Sequence, residues 1–283
     1  MKYAVVDAGG GLRGAYAAGI FDYMMDNAMT FDLGIGVSAG SANVGSFLAG
    51  QRGRNYWFYT RYPFRREYMS LHNMLTRHSY LDLDYVYGTL SAADGENPFD
   101  YARFRDNPTA FLAVATDAET GEARYFGKEY VTAEDMSVFK ASSAIPFVSR
   151  PHAVGGVSCF DGALSDPIPV QKALDMGCDR VVLVLTRPLD TLRTSETDVR
   201  LANRIRRRYP LAAQGLCRRA ERYNDAVARA RALAEEGRVL ILAPDDTLGV
   251  STLTRDRSAL RRLYAKGYRD AERTDFRGFV RPQ

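Results

Sequence analysis

Ser38 stands in the middle of a G-x-S-x-G pattern, Gly36-Val37-Ser38-Ala39-Gly40, where the apolar run "DLGIGV" gives way to the small-residue helical run "AGSANVGSFLAG". That context predicts a nucleophile elbow: Gly36 and Gly40 permit a strained strand-to-helix turn that lifts the serine hydroxyl above the sheet edge. One expected strand earlier, "DAGGGLRGAYAAG" (residues 7–19) opens the first helix with three consecutive glycines. Gly9, Gly10 and Gly11 leave N–H groups unobstructed at a helix N-terminus, where they can stabilise an oxyanion as readily as a phosphate. Arg13 would add positive charge beside them or orient the loop. Gly9, Gly11 and Gly14 also form the G-x-G-x-x-G dinucleotide fingerprint, which requires an acidic residue at the end of the second strand. Here that strand ends in Gly36-Val37-Ser38, with Asp32 at its start, so a nucleotide cofactor is not expected.

A serine nucleophile needs a base. The chain has three histidines, His72, His78 and His152, and none follows residue 152. The α/β-hydrolase order of serine, acid and then histidine is therefore excluded, and the three histidines read as surface or packing residues. A carboxylate can replace the imidazole if it is held close and partly desolvated. Asp161, in "GGVSCFDGALSDPIPV", follows a strand and precedes a glycine turn, and is the best candidate; Asp166, before Pro167, reads as a helix cap. Cys159, Cys178 and Cys217 are widely spaced, form no C-x-x-C pair and have no nearby histidine, so they are expected to be reduced, buried and inert. No residue cluster has metal-ligand spacing, and neither a metal nor another cofactor is expected.

These residues need a scaffold. Short apolar runs alternate with helical patterns, which indicates an α/β protein with a largely parallel sheet. Strands are expected at 3–7, 32–37, 110–117, 123–127, 152–160, 181–186 and 238–243, and helices at 14–28, 39–50, 133–142, 167–177, 197–209, 215–236 and 256–273. Residues 51–107 break this rhythm with aromatic, charged and irregular sequence. They read either as a surface insertion of irregular helices or as a lid and cavity wall. The expected organisation is one domain over residues 1–283, with 190–283 as a basic, helix-rich C-terminal part.

Composition is that of an ordinary soluble chain, 46% hydrophobic and 25% charged, with a formal charge of +4. No apolar run approaches the roughly 20 residues of a membrane span. Met1-Lys2 leads directly into strand sequence, so a cytoplasmic protein is expected. The basic surplus lies in the C-terminal third. It reads first as a solvated helix face with internal ion pairs, and second as a surface for peripheral contact with anionic lipid at the inner membrane. No recognised nucleic-acid motif accompanies it, so no nucleic-acid partner is expected.

Taken in order, "GGGLRG" (9–14), "GVSAGS" (36–41), "VATDAETGEARYF" (114–126) and "ASSAIPFVSRPHAVGGVSCFDGALSDPIPV" (141–170) resemble the patatin-like phospholipase family. The later stretches "YPLAAQGLCRRAERYNDAV" (209–227) and "LRRLYAKGYRDAE" (260–272) are similar to a bacterial branch of it. The resemblance implies a three-layer α/β/α fold and hydrolysis of lipid acyl esters by a Ser-Asp dyad without histidine. By motif position, Ser38 would be the nucleophile, Asp161 its partner, and Gly9, Gly10 and Gly11, backed by Arg13, the oxyanion loop. Thr116, Asp117 and Ser142 would line or brace the site. The family commonly has a second glycine after the aspartate, where this chain has Ala163. A lipid or other acyl ester is the expected partner; a second reading is a silent lipid-binding protein that keeps the pocket without turnover.

Overall fold

Strands without polar alternation are buried on both faces, and that is how the centre of this molecule is built. A computed structural model describes residues 1–281. Its strands are β1 (Tyr3–Asp7), β2 (Leu33–Val37), β3 (Ala110–Asp117), β4 (Ala123–Phe126), β5 (His152–Val154), β6 (Val157–Asp161), β7 (Arg180–Val184) and β8 (Val239–Leu242). They form one sheet in the order β5-β6-β3-β2-β1-β7-β8, with β4 also on β3. The run from β3 to β8 is parallel, whereas β4 and β6 join β3 antiparallel.

The helices are α1 (Gly14–Asp26), α2 (Ala39–Leu48), α3 (Arg54–Thr60), α4 (Leu71–Arg77), α5 (Tyr101–Asp106), α6 (Ser137–Ser142), α7 (Val170–Asp175), α8 (Glu196–Ile205), α9 (Pro210–Glu235) and α10 (Arg257–Glu272). Along β1, Tyr3 and Val5 pack with α1, α2 and α10, whereas Ala4 and Val6 pack with α7 and α9. Helices therefore cover both faces, the three-layer arrangement that the resemblance implies.

The register of β3 brings separate parts of the chain together. Residues Ala113 and Val114 pair with β2 on one side and β4 on the other; Ala115 and Thr116 pair with β4 and then with β6. A strand has only two edges, so β2 and β6 must follow one another along the same edge of β3. Val37 lies opposite Val114 and Asp161 opposite Ala115. The end of β2 and the end of β6 thus meet head to head, and Ser38 is the next residue after Val37.

Most expected elements are present with shifted ends. The single strand expected over 152–160 is instead a hairpin of β5 and β6, because Gly155 and Gly156 adopt positive φ and turn the chain. The helix expected from 215 begins at Pro210, a residue whose fixed φ suits the first turn. Residues 51–107 contain α3, α4 and α5 with tight turns between them. Cys159 and Cys178 are buried, but Cys217 is exposed: it lies on α9 off the buried stripe formed by Leu216, Ala220 and Tyr223.

Candidate active site

Ser38 occupies the junction between β2 and α2 with φ 56° and ψ −131°, a region that non-glycine residues rarely enter. The neighbours explain how the strain is held. A Cβ on Gly40 would strike the Asp7 backbone and carboxyl, and one on Gly36 would strike the Ser41 backbone. Small residues on both sides therefore let the elbow close against the end of β1. Ser41 donates its hydroxyl to Ser38 O at 2.7 Å, fixing the first turn of α2.

Ser142, from α6, completes the elbow. Its hydroxyl accepts the Ser38 N–H at 2.9 Å and donates to Val114 O at 2.6 Å. It fills the gap in the ladder between the end of β2 and the end of β6. Sequence placed Ser142 among residues that would line or brace the site; in the structure it braces the backbone of Ser38. Thr116 supports the other half, donating to Asp161 O at 2.8 Å. Asp117 instead organises the β3–β4 turn through Glu119, Thr120 and Arg124.

Asp161 is 2% exposed. Its N–H reaches Ala144 O at 3.0 Å and its Oδ1 accepts the Ala163 N–H at 2.8 Å, which leaves Oδ2 for the serine side. Burial pushes its carboxyl above the ordinary range, opposed by the Ser38 hydroxyl facing it and by the Ala163 N–H. A carboxylate made more basic by desolvation is suited to accept a proton. The three histidines stand elsewhere: His72 on α4, His78 just after it, and His152 on β5, where burial pushes its pKa down to about 4.

The glycine loop lies across the elbow. Gly9, Gly10 and Gly11 have φ values of 66°, 134° and 61°. Gly9 is anchored at both ends: its N–H donates to Asp7 Oδ1 at 2.8 Å, and its carbonyl accepts the Thr186 hydroxyl. Its N–H is therefore spoken for, and the donors of the loop left without an acceptor among the described residues are those of Gly10 and Gly11. Leu12 N–H, next in line, binds Thr252 O at 2.9 Å. Behind the loop, Asn43 donates to Asp7 Oδ2 at 2.8 Å and accepts from Tyr59 at 3.0 Å. Asp7 is fully buried, and this desolvation pushes its carboxyl up to about 6 against the pull of Asn43 and Gly9.

Two cavities open on either side of Ser38. One is apolar, with Phe58, Tyr68, Met69, Leu81, Leu83 and Val86 in its wall. Residues 54–87 of the irregular insertion supply that wall. Arg54, buried within it, is held by Ser46 at 3.1 Å, Ser91 at 2.8 Å and the Phe58 ring. The other cavity is polar and contains Gly10, Arg13, Ser38, Asp161 and several further arginines. Gly11, Ser38 and Thr252 belong to both walls.

Sequence reasoning did not assign Asp7, Asn43, Tyr59, Thr186 or Thr252 to the site. Only Asp7 carried a visible signal, as a charged residue ending an otherwise apolar strand beside the glycines. The other four come from distant segments and carry no local pattern. Among the described residues, no group of three His, Cys, Asp or Glu could hold a metal ion, and no helix is long and apolar enough to cross a membrane.

Residues 5–174 match the family model of patatin-like phospholipases, and residues 209–274 match that of a domain of unknown function, DUF6363. The Escherichia coli protein YjjU is 31% identical over 193 residues, which is 66% of this chain and 52% of that protein. An NTE family protein of Mycobacterium tuberculosis is 34% identical over 77 residues, 27% of this chain and 20% of its own. The chain thus spans about half the length of YjjU and less of the mycobacterial relative. The crystal structure of VipD from Legionella pneumophila aligns with 96% of this chain and 66% of its own at TM-score 0.51 and 12% identity, a likeness of fold. With the family model spanning more than half of the residues and both sequence motifs inside it, the chain belongs to the patatin-like phospholipase family.

Proposed function

We propose that this chain is a serine lipid acyl hydrolase that cleaves carboxylic esters through Ser38 and Asp161 by way of an acyl-enzyme. The observation that carries the reading is the head-to-head meeting of β2 and β6 on one edge of β3, which sets the buried Asp161 carboxyl against the Ser38 hydroxyl.

The chemistry follows from the geometry. Asp161 accepts the Ser38 proton as Oγ attacks the ester carbonyl, and the tetrahedral oxyanion is held by the Gly10 and Gly11 N–H groups. Collapse breaks the C–O bond, and Asp161 returns the proton to the departing alkoxide. Water then enters and gives its proton to Asp161; the hydroxide attacks the acyl carbon, and Ser38 leaves with that proton. The apolar cavity suits the acyl chain and the polar one the alcohol portion of the ester.

A fluorophosphonate probe read by intact mass and peptide mapping tests this reading. One adduct on Ser38 is expected, with none on Ser38→Ala and much slower labelling of Asp161→Asn. An unlabelled but folded wild-type protein that still binds lipid vesicles would favour the silent lipid-binding alternative.

A further inference from the structure

The apolar cavity encloses a positive charge that has no counter-charge beside it. Arg54 stands in its wall, and among the described residues that wall contains no Asp or Glu. Arg54 is 6% exposed. Of the five N–H donors of a guanidinium, three go here to neutral acceptors: the Ser46 hydroxyl at 3.1 Å, the Ser91 hydroxyl at 2.8 Å and the Asn97 carbonyl at 3.4 Å. Its Nε has no partner. The rings of Phe58 and Phe99 have their centres 4.4 and 5.4 Å from the guanidinium carbon. Ring faces offset part of the cost of a buried cation, but they do not neutralise it. Burial pulls the Arg54 pKa down to about 10, and the groups that oppose this are the phenols of Tyr87, Tyr62 and Tyr68 rather than a carboxylate.

Tyr68 lines the same cavity and is 8% exposed, and among the described residues its hydroxyl makes no hydrogen bond. Burial pushes its phenol up, and the nearby Arg54 charge pulls it back. The two donors lie away from the nucleophile. Ala39, Ala42 and Asn43 line the cavity along one face of α2, and Ser46, which holds Arg54, comes next on that face. Ser46 is eight residues beyond Ser38, about 12 Å along the helix axis. An extended carbon chain advances about 1.2 Å per bond, so roughly eight to ten carbons cover that distance. A methyl end there would meet a guanidinium with an unpaired N–H, whereas a carboxylate end would complete it. The Ser91 hydroxyl that accepts from Arg54 is itself fixed by donating to Val86 O at 2.9 Å, so the cation is preorganised.

We infer that Arg54 and the Tyr68 hydroxyl form a carboxylate site at the far end of the acyl cavity, which selects esters whose acyl chain itself ends in a carboxylate, the half-esters of medium-chain dicarboxylic acids. The inference rests on the hydrolase reading for the position of the ester at Ser38. The bond broken is the same ester C–O bond, and the distal carboxylate binds without reacting. A cavity without such a cation would reject a charged chain end, because an unpaired carboxylate is costly to bury.

The test compares kcat/KM for mono-p-nitrophenyl decanedioate and p-nitrophenyl decanoate, each below its micelle concentration, in wild type, Tyr68→Phe and Arg54→Gln. The wild type is expected to prefer the charged ester by about tenfold or more, and Arg54→Gln to reverse that preference. Tyr68→Phe is expected to lower it by about threefold or more, and is the cleaner variant because that hydroxyl has no bond in the fold to lose. Each ratio is taken within one protein, so a loss common to both esters cancels. A calorimetric titration into Ser38→Ala is independent of turnover. Monomethyl decanedioate is expected to bind it more tightly than the neutral dimethyl ester, and that advantage to fall when Tyr68→Phe or Arg54→Gln is added. If no ester is cleaved but this binding difference holds, the hydrolase reading fails and the carboxylate site stands. A wild type that cleaves the decanoate as well as the charged ester, or better, would overturn the selection of carboxylate-ended chains. Equal binding of the acid and the diester, or a preference that both variants leave unchanged, would overturn the site itself.

Discussion

Asp7 Oδ1 holds the Gly9 N–H at 2.8 Å, so the first glycine of the loop serves as an anchor and the proposed oxyanion donors are the next two. The carboxylate that does this is wholly buried and paired with Asn43 rather than with a cation.

This burial has a consequence for stability. Asp7 is pushed from 3.8 to about 6, so between these values the folded chain holds a proton that the unfolded chain has released. Stability from this group is present below the lower value and falls as pH rises through the window. Asp7→Asn is expected to reduce the loss of unfolding free energy between about pH 4.5 and about pH 7 by roughly 2 kcal/mol, measured by urea denaturation of both proteins. An unchanged pH dependence would place the charge of Asp7 elsewhere than in this buried network.

Ser38→Gly separates strain from chemistry. The native φ of 56° and ψ of −131° cost a serine about 1–2 kcal/mol that glycine does not incur. The variant is expected to be inactive towards esters and more stable by about that amount in thermal or urea unfolding. A variant less stable than wild type would mean the elbow is not under backbone strain.

Ser142→Ala removes one hydroxyl from two buried backbone groups, Ser38 N and Val114 O. The expected destabilisation is about 1–3 kcal/mol, the usual cost of leaving buried donors and acceptors unpaired. The turnover rate should fall as well, because the elbow loses its fixed position, whereas KM for short esters should change little. Loss of stability with full kcat would confine Ser142 to a structural role.

Gly10 has φ of 134°, and a Cβ there would meet the Thr186 hydroxyl. Gly10→Ala is expected to lower kcat for a soluble ester by about a hundredfold or more, the range found when an oxyanion donor is displaced. Circular dichroism and the melting temperature would establish that the fold survives, since Gly10 lies beyond the carboxyl end of β1 and is only partly buried. Near-normal kcat would remove Gly10 from the oxyanion site.

Much of this arrangement was visible in the amino-acid order, and the reason is local. Ser38, Gly36, Gly40 and the three-glycine run carry their meaning within a few residues, as does Asp161 at a strand end before glycine. Strands β1 to β4 were legible for the same reason, being apolar runs bounded by turns. The β5–β6 hairpin was merged into one strand because Gly155-Gly156 interrupts a run that is otherwise strand-like. Residues that meet only through folding left little trace: Thr252 joins Arg13 across the fold, and Asn43 joins Asp7 to Tyr59. Arg219 had a usable signal. It falls on the stripe of Ala212, Leu216, Ala220 and Tyr223 along α9, where a charged residue on a buried face requires a partner. The basic C-terminal third was read as a solvated or lipid-facing surface, and part of it turns inward instead.

Whether Ser38 and Asp161 act as a pair is read from the hydrolysis of p-nitrophenyl esters from butyrate to palmitate by wild type, Ser38→Ala and Asp161→Asn over a range of pH. Wild type is expected to be active with a chain-length optimum, and both variants to lose that activity. The wild-type profile should have an acid limb above the ordinary carboxylate range, because burial raises Asp161 and activity disappears as that carboxylate takes up its proton. Hydrolysis that survives Ser38→Ala, or an Asp161→Asn variant within a few-fold of wild type, would overturn the pairing.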